Sequence, residues 1–507
     1  GKESHDQSKD NQSIILAINN CLNDPNVAIR TAAAETLLEF HNVELIELWG
    51  SPDNEMQLFW PLRYKNSQII LSIAKLILNS QERDTVAKDM LDLLSQLLVR
   101  RNEFLKMQDK QLKGNNNVAL RHTSSIKLES ALLVMLCSPD PEICLTAVNC
   151  FGQLCLEAEL TSENLANDMG APPEFPPSQM TIVDNIYIYK ELSTVPYPIP
   201  GRMAQQRRIR KLLRSMTQPN AGNLGAWEEA WSRWQFLTKL IVNAVHEQNQ
   251  DFLQQVLTLG GCCVHERLRN TNPRFGEFSR RVSVSPNDYY AMVEKYVQEM
   301  VNLLVSDSNY VRENVKDILG SELSPRLYVI LFQHLDSIVT HFFDSDGQAI
   351  PNERFTLFVD QAILVLKLTL ERIYDLSENL YACDVGNLVL SFARYLNRLS
   401  ASPNSLRIKK RMCLLVELLM EKKDYVSLRM EIKLRNRLLE IIIEWTSDYN
   451  VKPDSQNGSE QGMGGGANRN ERMHRDLDQA CLKTIVALLH QLPLQPSEII
   501  HDGDLSQ

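Results

Sequence analysis

The sequence has no stretch approaching the ~20 consecutive apolar residues that span a bilayer, and it has no excess of positive charge. Lysine and arginine number 53 against 63 aspartates and glutamates, a formal charge of −10. A general nucleic-acid binder needs a basic surplus to displace counterions from phosphates, so nucleic acid is excluded as a partner and a soluble, cytoplasmic chain is expected. The ten cysteines include no CxxC pair. Cys137, Cys144, Cys150 and Cys155 fall inside helical patterns, where they read as reduced, buried small hydrophobes rather than a disulfide framework. Convincing apolar–polar alternation of the strand period is also missing, which excludes a β class.

Enzyme signatures are equally scarce. GxxxxGK[ST], HExxH and GxSxG do not occur, and the run GMGGGAN (Gly462–Asn468) lacks the lysine and the strand-to-helix setting that phosphate cradling requires. Asp344, Asp346 and Gly347 hint at a calcium loop, but further oxygen ligands and a glutamate at the twelfth position are out of register. A capped turn is expected there. Cys262, Cys263 and His265 hold metal-ligand chemistry, yet adjacent cysteines point to different faces of a helix, so core packing is favoured. No cofactor and no metal is expected.

What the chain does contain is helical periodicity. In Leu303–Gln348, Val311, Val315, Ile318 and Leu319 share one face. Gly320 is placed to end that helix, and Ser324-Pro325 to start the next, the serine hydroxyl accepting an orphan N–H. Leu327, Leu331, Leu335, Ile338 and Phe342 form a second stripe. Each helix alone exposes its stripe, so the pair must stack on neighbours, as in a helical repeat array. DPNVAIRTAAAETLL (Asp24–Leu38) looks like the second helix of a HEAT repeat, and similar turns recur at Ser138–Pro141 and Ser306–Asn309. Asp24, Asp140 and Asp307 are 116 and 167 residues apart, not multiples of one period. The expected fold class is therefore all-α, an irregular HEAT/armadillo-like α-solenoid of stacked helical hairpins.

The expected organisation is N-terminal HEAT-like helices over 1–160, a Pro-rich insertion over 161–200, and helical repeats with a Trp-rich helix over 201–269. A loop follows at 270–288, then central HEAT-like helices at 289–450. A Gly-rich disordered linker at 451–473 precedes a C-terminal helix and tail at 474–507. The polar run Lys113–Ser125 is expected as a loop. Ile182–Tyr189, set among seven prolines, is either extended or a short helix. Because the chain opens GKESHDQSKD, without an initiator methionine, it is expected to be a piece of a larger protein.

SDSNYVRENVKDILGSELSPRLYVILF followed by FFDSDGQ resembles the region ahead of the catalytic domain in neurofibromin-type Ras GTPase-activating proteins. AGNLGAWEEAWSRWQFLTKLI (Ala221–Ile241), EIKLRNRLLEIIIEW (Glu431–Trp445) and DLDQACLKTIVALLHQLPLQP (Asp476–Pro496) extend the similarity, which runs from about Val43 to Pro496. The resemblance implies a scaffold that positions or restricts a GAP domain lying C-terminal to it, and through that domain acts on Ras. It also implies a large, dimeric assembly. In that family an inserted arginine stabilises the transferring γ-phosphate; its arginine-finger loop and FLR helix are not found in this chain, so no GTPase activation by this chain alone is expected. The competing expectation is an autonomous HEAT-type adaptor that binds proteins or membrane independently of Ras.

Three surface or core features stand out. Arg280 and Arg281 precede Ser283 in FSRRVSVS, the arrangement basophilic kinases read, making Ser283 a candidate phosphosite. Arg202, Arg207, Arg208, Arg210, Lys211 and Arg214 form one side of RMAQQRRIRKLLRSM, opposite Met203, Ile209, Leu212, Leu213 and Met216. That basic side could dock on anionic lipid as a peripheral membrane contact, or on an acidic partner, but solvation as one face of a repeat helix is favoured. Trp227, Trp231 and Trp234 fall at i, i+4 and i+7 and are expected to make one buried face.

Overall fold

The computed structural model describes residues 13–42, 69–80, 84–107, 118–138, 140–166, 181–194, 220–262, 286–373, 380–428, 431–447 and 466–491, and singly 204, 208, 209, 212 and 216. The chain divides into two units, Gly1–Arg281 and Val282–Gln507. Among the described residues the only β pairing is two isolated bridges, Phe343 with Ala349 and Leu380 with Val426.

In the first unit the helices are α1 (13–21), α2 (Val27–Phe40), α3 (Ile69–Asn79), α4 (Asp84–Met107), α5 (Val118–Met135), α6 (Pro141–Ala166), α7 (Ile186–Ser193), α8 (Ala221–Leu237), α9 (Ile241–His246) and α10 (Gln250–Cys262). Helix α2 packs on α4 and α4 on α6, while α5 packs on α8 and α8 on α10. The core runs continuously through Leu37, Ile73, Leu94, Leu132, Phe151 and Tyr189. By length and composition Pro141–Leu160 could cross a membrane, contrary to the expectation that no segment comes close. Its apolar residues are spent on the core instead: Ile143, Ala147, Cys150, Phe151 and Leu154 are all buried.

The second unit contains α11 (Pro286–Leu303), α12 (Asn309–Asp317), α13 (Tyr328–Val339), α14 (Glu353–Glu371), α15 (Val385–Asn397), α16 (Pro403–Glu421), α17 (Glu431–Ser447) and α18 (Gly466–Leu489). Alternate helices lie side by side. One layer runs α12–α14–α16–α18, the other α11–α13–α15–α17. Neighbours within a layer are parallel. Gly386 of α15 approaches Leu434 of α17, and eleven residues later Asn397 accepts from Trp445 Nε1 at 2.9 Å. Through α17, contacts between neighbours of a layer recur at nearly constant separation, 48 residues for Asn397–Trp445, 49 for Leu323–Arg372 and 49 for Ile373–Lys422; from α16 to α18 the separation widens to 66–68. The shorter spacing, close to that of a HEAT repeat, is the regularity that turn-to-turn distances concealed.

Several expectations need correction. Gly320 does not cap a helix. It lies inside a π-turn, Ile318–Glu322, where a Cβ would stand 2.7 Å from Leu368 Cβ and 3.1 Å from the Val365 carbonyl. Glycine is needed there for close approach to α14, not for a left-handed conformation. Pro325 does occupy the first turn of the next element, but Ser324 makes no capping bond. The segment Lys113–Ser125 is helical from Val118, the stretch 451–473 is helical from Gly466, and 161–166 completes α6. Ile182–Tyr189 is resolved as helix: a 3-10 turn, Thr181–Asn185, leads into α7. The Trp-rich helix begins at Ala221, because Asn220 and Asn223 form a reciprocal capping box.

Candidate functional site

The turns the sequence singled out are built alike. Asn26 caps α2 by accepting from Ala28 N at 2.9 Å, Asp140 caps α6 by accepting from Glu142 N at 2.8 Å, and Ser308 caps α12. In two of them an arginine one turn on folds back over the loop. Arg30 donates to the Asp24 and Pro25 carbonyls at 2.9 and 3.2 Å, and Arg312 donates to those of Ser306 and Asp307.

Between the stacked helices lie buried polar seams. One surrounds Glu129 on α5, which is wholly buried. Tyr189 of α7 donates its hydroxyl to Glu129 Oε1 at 2.5 Å. Asn220 Nδ2 donates to both carboxylate oxygens at 3.1 and 3.2 Å, and to the Thr181 carbonyl at 2.6 Å. Asn223 Nδ2 donates to Glu129 Oε1 and to Tyr189 Oη, each at 3.2 Å, while Asn185 donates to Asn223 Oδ1. Tyr189 also stacks on Phe151 with ring centroids 4.4 Å apart. Next to it, Ser130 Oγ donates to the Gly222 carbonyl at 2.9 Å. A Cβ on Gly222 would sit 2.3 Å from Glu129 Oε2, so only glycine lets α8 come this close.

Burial raises the Glu129 carboxyl above its ordinary value, and the donors around it pull the other way. The Tyr189 hydroxyl is pushed well up by the same burial and by the adjoining carboxylate. A carboxyl and a phenol in short contact could exchange a proton. Closed off from solvent, however, they serve to brace α5, α7 and α8 against one another.

The second unit is braced differently. Asp360 of α14 receives Arg407 Nη2 at 3.0 Å and Arg411 Nη1 at 2.5 Å from α16. Basic residues then tie successive helix ends together, Arg372 donating to the Leu323 carbonyl and Lys422 to that of Ile373. Arg435 reaches the Leu488 and His490 carbonyls at the end of α18. Each places positive charge where a helix exposes orphan carbonyls.

The sequence-picked residues fare unevenly. Ser283, Arg280 and Arg281 lie outside the described residues, as do Arg202, Arg207, Arg210, Lys211, Arg214, Cys263 and His265. Arg208 is half-buried and donates to the Glu191 carbonyl at 2.9 Å. Its neighbours Ile209 and Leu212 are buried in the first unit's core, with Met216 packed against it, so these apolar residues are used internally. Asp344 forms the expected capped turn, accepting from Asp346 N and Gln348 N at 3.0 and 2.8 Å. Gly347 there has φ +71°. Trp227, Trp231 and Trp234 are buried, the first two stacked at 6.0 Å. Sequence reasoning missed Glu129, although a carboxylate just ahead of the apolar run ALLVMLC was a usable signal.

The outward residues reverse the usual pattern. Leu482, Val486 and Leu489 follow helical spacing on α18 and are 61%, 69% and 52% exposed. On α8–α9, Phe236 and Val242 are 59% and 64% exposed.

Residues 128–157, from the latter half of α5 through most of α6, match the HEAT repeat family model. Among solved structures, the chain is similar to one in a SYS-1/POP-1 crystal complex, at 12% identity over 90% of this chain and 86% of that one, with a TM-score of 0.26. It is similar to the cohesin subunit Scc3 of Z. rouxii at 10% identity, covering 92% of this chain and 64% of that one, with a TM-score of 0.16. A chain of a complex in which Kap95p binding switches the loops of RanGDP matches at 11% identity over 94% and 78%, with a TM-score of 0.14. Scores this low carry no argument about what the chain does. Together with the layered parallel helices, the repeat match identifies the fold as an all-α, irregular HEAT/armadillo-like α-solenoid.

Proposed function

We propose that this chain is a non-catalytic protein-interaction scaffold of a neurofibromin-like negative regulator of Ras signalling. In this reading it positions or restricts a GAP domain that follows it and contributes surface to a dimeric, cytoplasmic assembly. The observation that carries the scaffold reading is the exposed apolar face of α18, Leu482, Val486 and Leu489, beside polar groups turned inward to brace helices. Contiguous exposed apolar surface marks a contact site, and stacked repeats offer much surface per residue. The assignment to Ras rests on the sequence resemblance.

The test is Ras GTP hydrolysis measured with the isolated chain, with the GAP module, and with the two in one polypeptide. The chain alone leaves the rate unchanged, and joining it to the module alters the module's apparent affinity for Ras. Replacing Leu482 and Val486 with serine abolishes that alteration while helix content is kept. Acceleration by the chain alone overturns the non-catalytic reading; an unaltered module overturns the positioning role. The second face, Phe236 and Val242 on the first unit, favours an adaptor that also engages a partner independently of Ras.

A further inference from the structure

Helices α16 and α18 meet along a seam that contains two cysteines. From one end, Lys410 pairs with Asp476 at 3.0 Å, Cys413 Sγ lies 3.8 Å from Cys481 Sγ, and Thr484 Oγ1 donates to Glu417 Oε1 at 2.9 Å. Contacts on both sides fix the register, so the sulfurs face each other rather than meeting by chance. Both are free thiols and both are buried. Other buried cysteines behave differently: Cys144, Cys150 and Cys155 are each pushed to about 12 by burial and read as inert core residues.

We propose that Cys413 and Cys481 are an oxidation site, converted by hydroperoxides into a disulfide that latches α18 onto α16. Cys481 is the attacking sulfur. A hydrogen bond from Cys413 holds its thiol below the ordinary value, and Lys409 on the same face of α16 acts in the same direction. Burial and Asp478, one turn earlier on α18, oppose that shift without cancelling it. Cys413, one turn beyond Lys409, is pushed well up, by the hydrogen bond to Cys481, by burial, and by the nearby Glu417. The pair is thereby asymmetric, Cys481 being the sulfur that gives up its proton more readily.

The chemistry balances. Cys481 gives its thiol proton to solvent and its sulfur attacks the terminal oxygen of ROOH; an S–O bond forms, the O–O bond breaks, and the leaving alkoxide takes up a solvent proton as ROH. Cys413 sulfur then attacks the Cys481 sulfenic sulfur, the S–O bond breaks, and hydroxide leaves as water with the Cys413 proton. Two thiols and one hydroperoxide give one disulfide, one ROH and one water, with two electrons passing from sulfur to peroxide. The sulfurs must close from 3.8 Å to about 2.05 Å, which a rotamer change and a small helix shift supply. Because the seam is closed, reaction waits on local opening of α18. The bridge ties residues 68 apart, a long loop whose closure restricts the unfolded chain substantially.

The inference is independent of the scaffold reading. Its test uses the full chain, reduced and then exposed to hydrogen peroxide, with non-reducing peptide mass spectrometry and thermal unfolding. The expected result is a 413–481 linked peptide, a rise in Tm of roughly 5 °C, and reversal of both by dithiothreitol. Cys413→Ser and Cys481→Ser each lose the Tm rise; without its resolving partner, the Cys481 of the first goes on to sulfinic acid. Should either variant fold poorly, isotope-coded alkylation of the unmutated chain before and after peroxide reads the same pair. Oxidation confined to other cysteines, or a linked peptide joining Cys413 or Cys481 to any other residue, overturns the proposal.

Discussion

Truncating Glu129 to alanine removes the acceptor of hydrogen bonds from the buried side chains of Tyr189, Asn220 and Asn223, and of one from the Thr181 side chain. Those donors do not suffer equally. Asn220 Nδ2 keeps the Thr181 carbonyl at 2.6 Å, and Asn223 Nδ2 keeps Tyr189 Oη at 3.2 Å. The Tyr189 hydroxyl loses its one acceptor while wholly buried. Stranding it costs about 1–3 kcal/mol, and the void between α5 and α8 adds about 1–2 kcal/mol, so E129A should cost about 2–5 kcal/mol. Y189F alone removes the donor and should cost about 1 kcal/mol. Combined, the two should cost less than their sum, because the stranded hydroxyl is gone. Native-state hydrogen exchange on peptides from α5 and α8 measures this apart from the second unit. Strictly additive losses, or an E129A chain as protected as the original, would refute the brace. Since the folded carboxyl is raised above 4.5, the folded state holds its proton more tightly than the unfolded chain does. The site's contribution is complete below the unfolded value and is lost as pH rises through the folded one. E129Q, which cannot ionise, should not show that decline.

Gly320→Ala normally gains helix propensity, yet here the new Cβ meets the Val365 backbone carbonyl and Leu368 Cβ, so a loss of about 1–3 kcal/mol is expected in urea unfolding. Asp360→Ala should cost about 1–3 kcal/mol, less than a fully buried pair, because Arg407 and Arg411 are 43% and 32% exposed and can rehydrate; added salt should leave the loss nearly unchanged. His41 is held below 6.5, chiefly by burial, with Arg100 and Arg101 adding to it. Protonating it is therefore disfavoured in the fold. Stability of the α2 end should be complete above 6.5 and fall as pH drops below it, and His41→Gln should flatten that slope in a pH series of thermal melts. Trp234→Ala, at a residue with no exposed surface, should cost about 3–5 kcal/mol.

The helices were legible because their stripes follow a 3.6-residue period whatever lies beyond them. Val311, Val315, Ile318 and Leu319 are all wholly buried, and so are Leu331, Leu335 and Phe342. Boundaries set by weak propensity were not. Gly466 opens α18 and Val118 opens α5, where polar composition suggested linker and loop; packing further along each helix outweighs a poor first turn. Gly320 was misread because its reason is 48 residues away, at Leu368. The Glu129 seam was hidden for the same cause: its partners are 60 to 94 residues distant, and no local pattern joins them. The capped turn at Asp344 was legible, since Asp and Gly at those positions act on their own backbone.

Alternate helices lie parallel and side by side in this fold. Zero-length carbodiimide cross-linking of lysine to carboxylate, read by mass spectrometry, tests this directly. It predicts Lys410–Asp476 bridging α16 to α18, and Lys88–Glu142 bridging α4 to α6, each skipping the helix between. Cross-links confined to helices consecutive in sequence, with both of these absent, would contradict it.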